Sequence, residues 1–105
     1  RVSEDEVIHA LYTAAGIGQV IASRAFIAGA AGGCQAEIGS GSGMAAGAIC
    51  HVKGADAGVI GHACAMALKN LMGLVCDPVA GLVEVPCVKR NVGGFFIICL
   101  TKFFH

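Results

Sequence analysis

Charge is scarce in this 105-residue chain. Asp, Glu, Lys and Arg make up 13% of it, and seven basic residues balance seven acidic ones. That is about half the usual charged share. The basic residues are scattered, and the one local pair, Lys89–Arg90, forms no stripe. Nucleic-acid binding is therefore excluded as a function class. Tryptophan is absent. Also missing is an unbroken apolar run of about 20 residues, the length a membrane span needs. Gln19, Ser23 and Arg24 interrupt one apolar segment, Lys69 and Asn70 interrupt another, and residues 92–100 are too few before Lys102. These segments read as buried core helices, so no membrane partner is expected. No signal-peptide pattern is visible, which fits a cytoplasmic setting.

What the chain does have is apolar surface. Apolar residues make up 56% of it, and glycine occurs 16 times. One small domain would struggle to hide so much, so part of it is expected to pack against absent segments, a second domain or a partner subunit. The start at Arg1 and the run Ser3-Glu4-Asp5-Glu6 read like the middle of a longer frame. Six cysteines could belong to a disulfide scaffold, but such scaffolds are loop-rich with poor cores, and this chain is rich in Ala, Ile, Leu and Val. Metal-binding or buried cysteines in a reducing compartment fit better.

Helical signals dominate. Ser3 can cap and Glu6 can complete a capping box, after which Val7, Leu11 and Ala14 recur at helical spacing. Gly16 and Gly18 mark a break or close packing, and a second helix is expected over 17–28. Residues 29–33 and 35–43 read as glycine-rich and polar connections, followed by a helix over 43–52. Asp56 caps a helix over 57–71 that Gly73 ends. Asp77-Pro78 signals a short further helix, and a last helix starts near 89–91. The expected fold is all-α: a compact bundle of short Ala/Gly-rich helices with functional loops at helix ends.

The cysteines divide by position. Cys34 follows the glycine-rich loop, Cys76 precedes Asp77-Pro78, and Cys87 follows Pro86. All three fall at expected helix ends, where free amides and the helix dipole favour a thiolate. Cys50 and Cys64 fall inside expected helices and Cys99 in an apolar run, as small buried hydrophobes do. The separations between the first three, 42 and 11 residues, match no standard zinc or ferredoxin spacing. Context alone leaves a metal site open.

Two longer stretches add to this. GGCQAEIGS over 32–40 and ALKNLMGLVCDPVAGLVEVPCVKRN over 67–91 resemble the iron–sulfur-dependent L-serine dehydratase family, in its alpha domain. The resemblance runs over about 2–91. It implies a partial cluster-binding domain over 1–91, with a divergent apolar tail over 92–105. It implies that Cys34, Cys76 and Cys87 ligate a [4Fe–4S] cluster. It also implies L-serine as substrate, further alpha-domain sequence and a beta domain or beta subunit as partners, and a homo- or hetero-oligomer. Two departures stand out: Ala31 replaces an acid usual in the family, and the tail after Asn91 is unlike the family's small-residue helix. In the family, an iron without a protein ligand acts as a Lewis acid on the β-hydroxyl. A base removes the α-proton, and the resulting enamine hydrolyses to pyruvate and ammonia. Cysteine desulfidase, of the same fold, and a non-catalytic helical module are the alternative readings.

The base is not identified by the sequence. His62 qualifies by type, but its place inside a helix favours a structural role. Lys69-Asn70 and Lys89-Arg90-Asn91 could hold a carboxylate, order the cluster surroundings or cap helices. Glu37 and Asp77 neighbour the cysteines, and Asp77 reads as a helix cap. Glu84 is a candidate partner of Lys89. The glycine loop before Cys34 lacks a following GK[ST] and follows no strand, so it is no phosphate loop. Its glycines are expected to let the backbone approach a cluster.

Overall fold

A computed structural model describes residues 2–101, with only the backbone of Thr101. Arg1 and Lys102–His105, the last residues of the tail expected to diverge, lie outside the described residues. Ser3 opens the first helix as expected: its hydroxyl accepts from the Glu6 amide at 3.2 Å. Helix α1 then runs unbroken over Glu4–Arg24. Gly16 and Gly18 do not interrupt it. Gly18 marks close packing instead, since a Cβ there would meet the Met44 side chain at 2.9 Å.

The short α2 covers Gly29–Gly32, α3 covers Cys34–Val52, α4 covers Ala57–Leu71 and α5 covers Glu84–Thr101. Among the described residues there is no strand, only one isolated bridge between Val79 and Leu82. The all-α expectation holds. Asp56 caps α4, accepting from the Val59 amide at 3.0 Å.

Helix α3 is central and touches each of the other four. It starts at Cys34, nine residues before the expected position, because its glycines and serines are contact residues, not loop residues. A Cβ on Gly43 would stand 3.1 Å from Cys64 Sγ and 3.2 Å from Leu68 Cγ, and one on Gly47 would press into Ile17. Tertiary packing overrides the low helix propensity of glycine here. The core is correspondingly small-grained: Ala46, Cys50, Ala63 and Ala67, with Ile60 and Ile97 packed against them. Thr13 Oγ1 and His51 Nδ1, 2.7 Å apart, join α1 to α3.

Two expectations fail between α4 and α5. No helix starts at Asp77-Pro78; residues 74–78 are irregular. A tight turn follows, with Val79 and Leu82 exchanging backbone bonds of 2.7 and 2.9 Å. Ala80 and Gly81 carry positive φ of 53° and 77°, the pattern of a type I′ turn. The last helix starts at Glu84, earlier than expected. Pro86 sits in its first turn, where its missing N–H costs nothing.

Candidate functional site

Cys34 is the first residue of α3, and Cys87 lies in the first turn of α5, its amide donating to the Val83 carbonyl at 3.0 Å. Both sulfurs thus sit at helix N-termini, the ends that favour anionic groups. Cys76 lies on the irregular segment between α4 and α5. The fold brings the three segments together: Cys34 and Cys87 line one cavity, and Gly33, next to Cys34, packs against the backbone of Val75 and Cys76. The Cys87 thiol is pushed up by desolvation first, and further by Cys34, Glu37 and Cys76. Crowded potential anions without a cation raise one another's pKa in this way. Cys34 is buried, Cys87 half-buried and Cys76 exposed.

From Cys34 and Cys87 a cavity of about 350 Å³ runs between α3 and α5. Cys34, Ile38 and Ser42 line it at i, i+4 and i+8 of α3, facing Cys87, Asn91, Phe95 and Ile98 of α5. These spacings hold one face of each helix toward the other. Gly94 allows the approach, as a Cβ there would lie 2.8 Å from Ser42 Oγ. Ser42 and Asn91 are uncharged polar groups of this wall. Sequence reasoning missed Ser42, although its i+8 spacing from Cys34 was a usable signal.

The glycine-rich approach to Cys34 has a specific purpose. Gly33 has φ 81° and ψ −174°, a region essentially open only to glycine. A Cβ there would stand 2.8 Å from Val75 Cα and 2.9 Å from the Leu74 carbonyl oxygen. The glycine therefore lets the Cys34 backbone press against the segment that carries Cys76. The Gln35 amide donates to the Leu74 carbonyl at 2.8 Å across this contact. Glu37 accepts from the Gly29 amide at 3.1 Å, at the start of α2.

The remaining expected site residues fall as follows. Arg90 does hold a carboxylate: Nη2 donates to Asp77 Oδ2 at 2.8 Å, so Asp77 is an ion-pair partner and not a helix cap. Asn91 donates to the Cys87 carbonyl at 2.8 Å, and Asn70 likewise to that of Met66. Glu84 and Lys89 form no ion pair among the described residues; five positions apart, they point to different sides of α5. His62 is exposed in mid-α4 and does not line the cavity. Cys50 is buried in the core. Cys64 is half-buried against Gly43, and burial raises both thiols. Cys99 is half-buried on α5.

Among the described residues no three His, Cys, Asp or Glu side chains are placed to share a single metal ion. A cluster asks something different. It spreads its cysteine ligands over separate irons, so the thiols must ring a volume instead of a point. Three cysteines are the donor type such a cluster takes, and two of them, Cys34 and Cys87, stand at helix N-termini on one cavity.

The profile of the serine dehydratase alpha chain family matches residues 1–96. The chain belongs to the serine dehydratase alpha chain family. Among its relatives, a probable L-serine dehydratase alpha chain of Bacillus subtilis is 58% identical over 92 residues, covering 88% of this chain and 31% of that one. A probable L-serine dehydratase alpha chain of Latilactobacillus sakei is 56% identical over 93 residues, covering 89% and 44%. An L-serine dehydratase of Helicobacter pylori is 43% identical over 94 residues, covering 90% and 21%. This family member thus spans less than half the length of these curated relatives. No solved structure matches the chain.

Proposed function

We propose that this chain is the cysteine-bearing part of an L-serine dehydratase, in which Cys34, Cys76 and Cys87 hold a [4Fe–4S] cluster and L-serine is converted to pyruvate and ammonia. One observation carries the reading: Cys34 and Cys87, 53 residues apart in sequence, line one cavity, and the backbone of Cys76 packs beside Gly33, next to Cys34. Family membership and the names of the relatives support the reaction. The chain spans 31% of the Bacillus relative, and no residue of it is assigned as the base.

The chain's own residues have definable work. Cys34 and Cys87 bind as thiolates, each favoured by its helix terminus. Their mutual crowding, which raises the Cys87 thiol, is relieved when iron replaces the thiol protons. Cys34, Cys76 and Cys87 would hold the cluster, which when bound would supply Lewis-acid chemistry toward the substrate hydroxyl. Ser42 and Asn91 offer the uncharged polar contacts of the cavity, and Ile38, Phe95 and Ile98 its apolar wall. Cytoplasmic action and assembly with a beta domain or subunit complete the proposal; among the described residues no helix is long and apolar enough to cross a membrane.

The test is pyruvate release from L-serine by the complete anaerobic enzyme. Cys34→Ala, Cys76→Ala and Cys87→Ala each abolish it, whereas Cys64→Ala retains it. L-cysteine, assayed in parallel, releases pyruvate more slowly than L-serine. Loss of activity in Cys64→Ala with retention in Cys76→Ala would falsify the ligand assignment.

A further inference from the structure

Cys76 has no helix of its own. It stands on residues 74–78, an irregular segment with its side chain exposed. A thiol on such a segment keeps a fixed position only if the flanking backbone is tied down. The structure ties it from two sides, and each tie comes from a helix that carries one of the other cysteines.

The first tie is Gln35, next to Cys34 on α3. Its side-chain Oε1 accepts from the Gly73 amide at 2.9 Å, and its Nε2 donates to the Gly32 carbonyl at 3.1 Å. One side-chain amide thus spans from the glycine approach of Cys34 to the start of the Cys76 segment. The Gln35 backbone amide adds the bond to Leu74. The second tie is Arg90, three residues after Cys87 on α5. Its guanidinium reaches Asp77 Oδ2 at 2.8 Å and, at a longer 3.4 Å, the Val75 carbonyl. Those partners flank Cys76 on either side.

We infer that Gln35 and Arg90 are positioning residues that set Cys76 against Cys34 and Cys87. The consequence for metal retention rests on the cluster reading above; the clamp on residues 73–77 does not. Groups that orient metal ligands from outside the coordination sphere affect affinity in this way. The Gln35 bond to Gly32 is part-buried, whereas its bond to Gly73 and the Arg90–Asp77 pair are exposed to solvent, which weakens the ion pair.

The test uses the complete enzyme with Gln35→Leu, Arg90→Met and Arg90→Lys. In the cluster-free state, hydrogen exchange over residues 73–77 accelerates about three- to tenfold in the first two variants, the factor that one or two lost hydrogen bonds imply. Exchange in the α3–α4 core stays unchanged. After anaerobic loading, iron is lost to a chelator about ten- to a hundredfold faster in both, with Arg90→Lys between Arg90→Met and the parent. The visible spectrum at equal iron content also changes, which a merely structural role would not produce. Parent-like exchange over 73–77, parent-like iron release, or acceleration spread through the whole core each overturns the positioning role. If the parent enzyme takes up no cluster, the cluster reading fails while the exchange experiment still decides whether Gln35 and Arg90 hold the segment.

Discussion

Gly33 is the residue on which the site's geometry turns most sharply. Its backbone angles exclude side chains, and the space a Cβ would fill is occupied by backbone of Leu74 and Val75, not by a yielding side chain. Gly33→Ala therefore costs about 2–3 kcal/mol or more from backbone strain and the forced displacement together. Chemical denaturation of the complete enzyme, compared with Gly41→Ala on α3, where a Cβ meets nothing within 4 Å, reads this directly. A Gly33→Ala stability equal to the parent's contradicts the close approach. At this scale the sequence was informative where the cause is local. Ser3 and Asp56 cap helices through residues three positions on, and each signal lies within one turn. The Gly33 requirement was legible only as glycine richness. Its reason, the segment at 74–76, is some 40 residues away in the chain. Gln35 was not legible at all, since both partners of its side chain are set by the fold.

At the scale of elements, α4 shows how a local signal carries energy. The Asp56 side chain satisfies an amide of its first turn, so Asp56→Ala costs about 1 kcal/mol. The same denaturation measurement checks it, and Asp56→Asn is expected to restore most of the loss. Helix α3 shows the reverse. Residues 35–43 have a loop-like composition, but they are small because α3 is enclosed by four other helices. The stripe Ala36, Gly39, Ser40, Gly43, Ala46, Gly47, Cys50, all buried, recurs every three or four residues and was the readable sign of a helix. Asp77-Pro78 misled for a related reason. A cap signal assumes that the carboxylate turns back on its own chain, and here Arg90 of α5 takes it. The division of the cysteines was legible for the buried or half-buried Cys50 and Cys64, and for Cys34 and Cys87 at helix starts. Cys76 belongs with the latter two by proximity, but not by helix end.

For the whole molecule, the unusual feature is where the large apolar side chains are. The core is mostly alanine with Cys50, the largest fully buried side chain, while Leu11, Tyr12, Phe26, Met72, Val88, Phe95 and Phe96 are all more than half exposed. Burial stabilises by about 25 cal/mol for each Å² of apolar surface removed from water, and small side chains remove little. The 105-residue chain by itself is therefore expected to be marginally stable, to bind a hydrophobic dye such as anilinonaphthalene sulfonate and to associate as its concentration rises. Sedimentation and dye fluorescence measure this; a monodisperse monomer silent to the dye contradicts it. The composition anticipated that outcome, but it could not say which faces would be left uncovered.

Cys34 on α3, Cys87 on α5 and Cys76 on the segment between α4 and α5 are far apart in sequence, so the proposed cluster site belongs to the fold and not to a local motif. Anaerobic reconstitution of the complete enzyme with iron and sulfide, followed by iron counting and an absorption spectrum, tests this most directly. About four irons per chain with broad visible absorption are expected, both lost in Cys76→Ala and both kept in Cys64→Ala. A colourless parent enzyme without bound iron, or iron retained in Cys76→Ala, would contradict the cluster assignment.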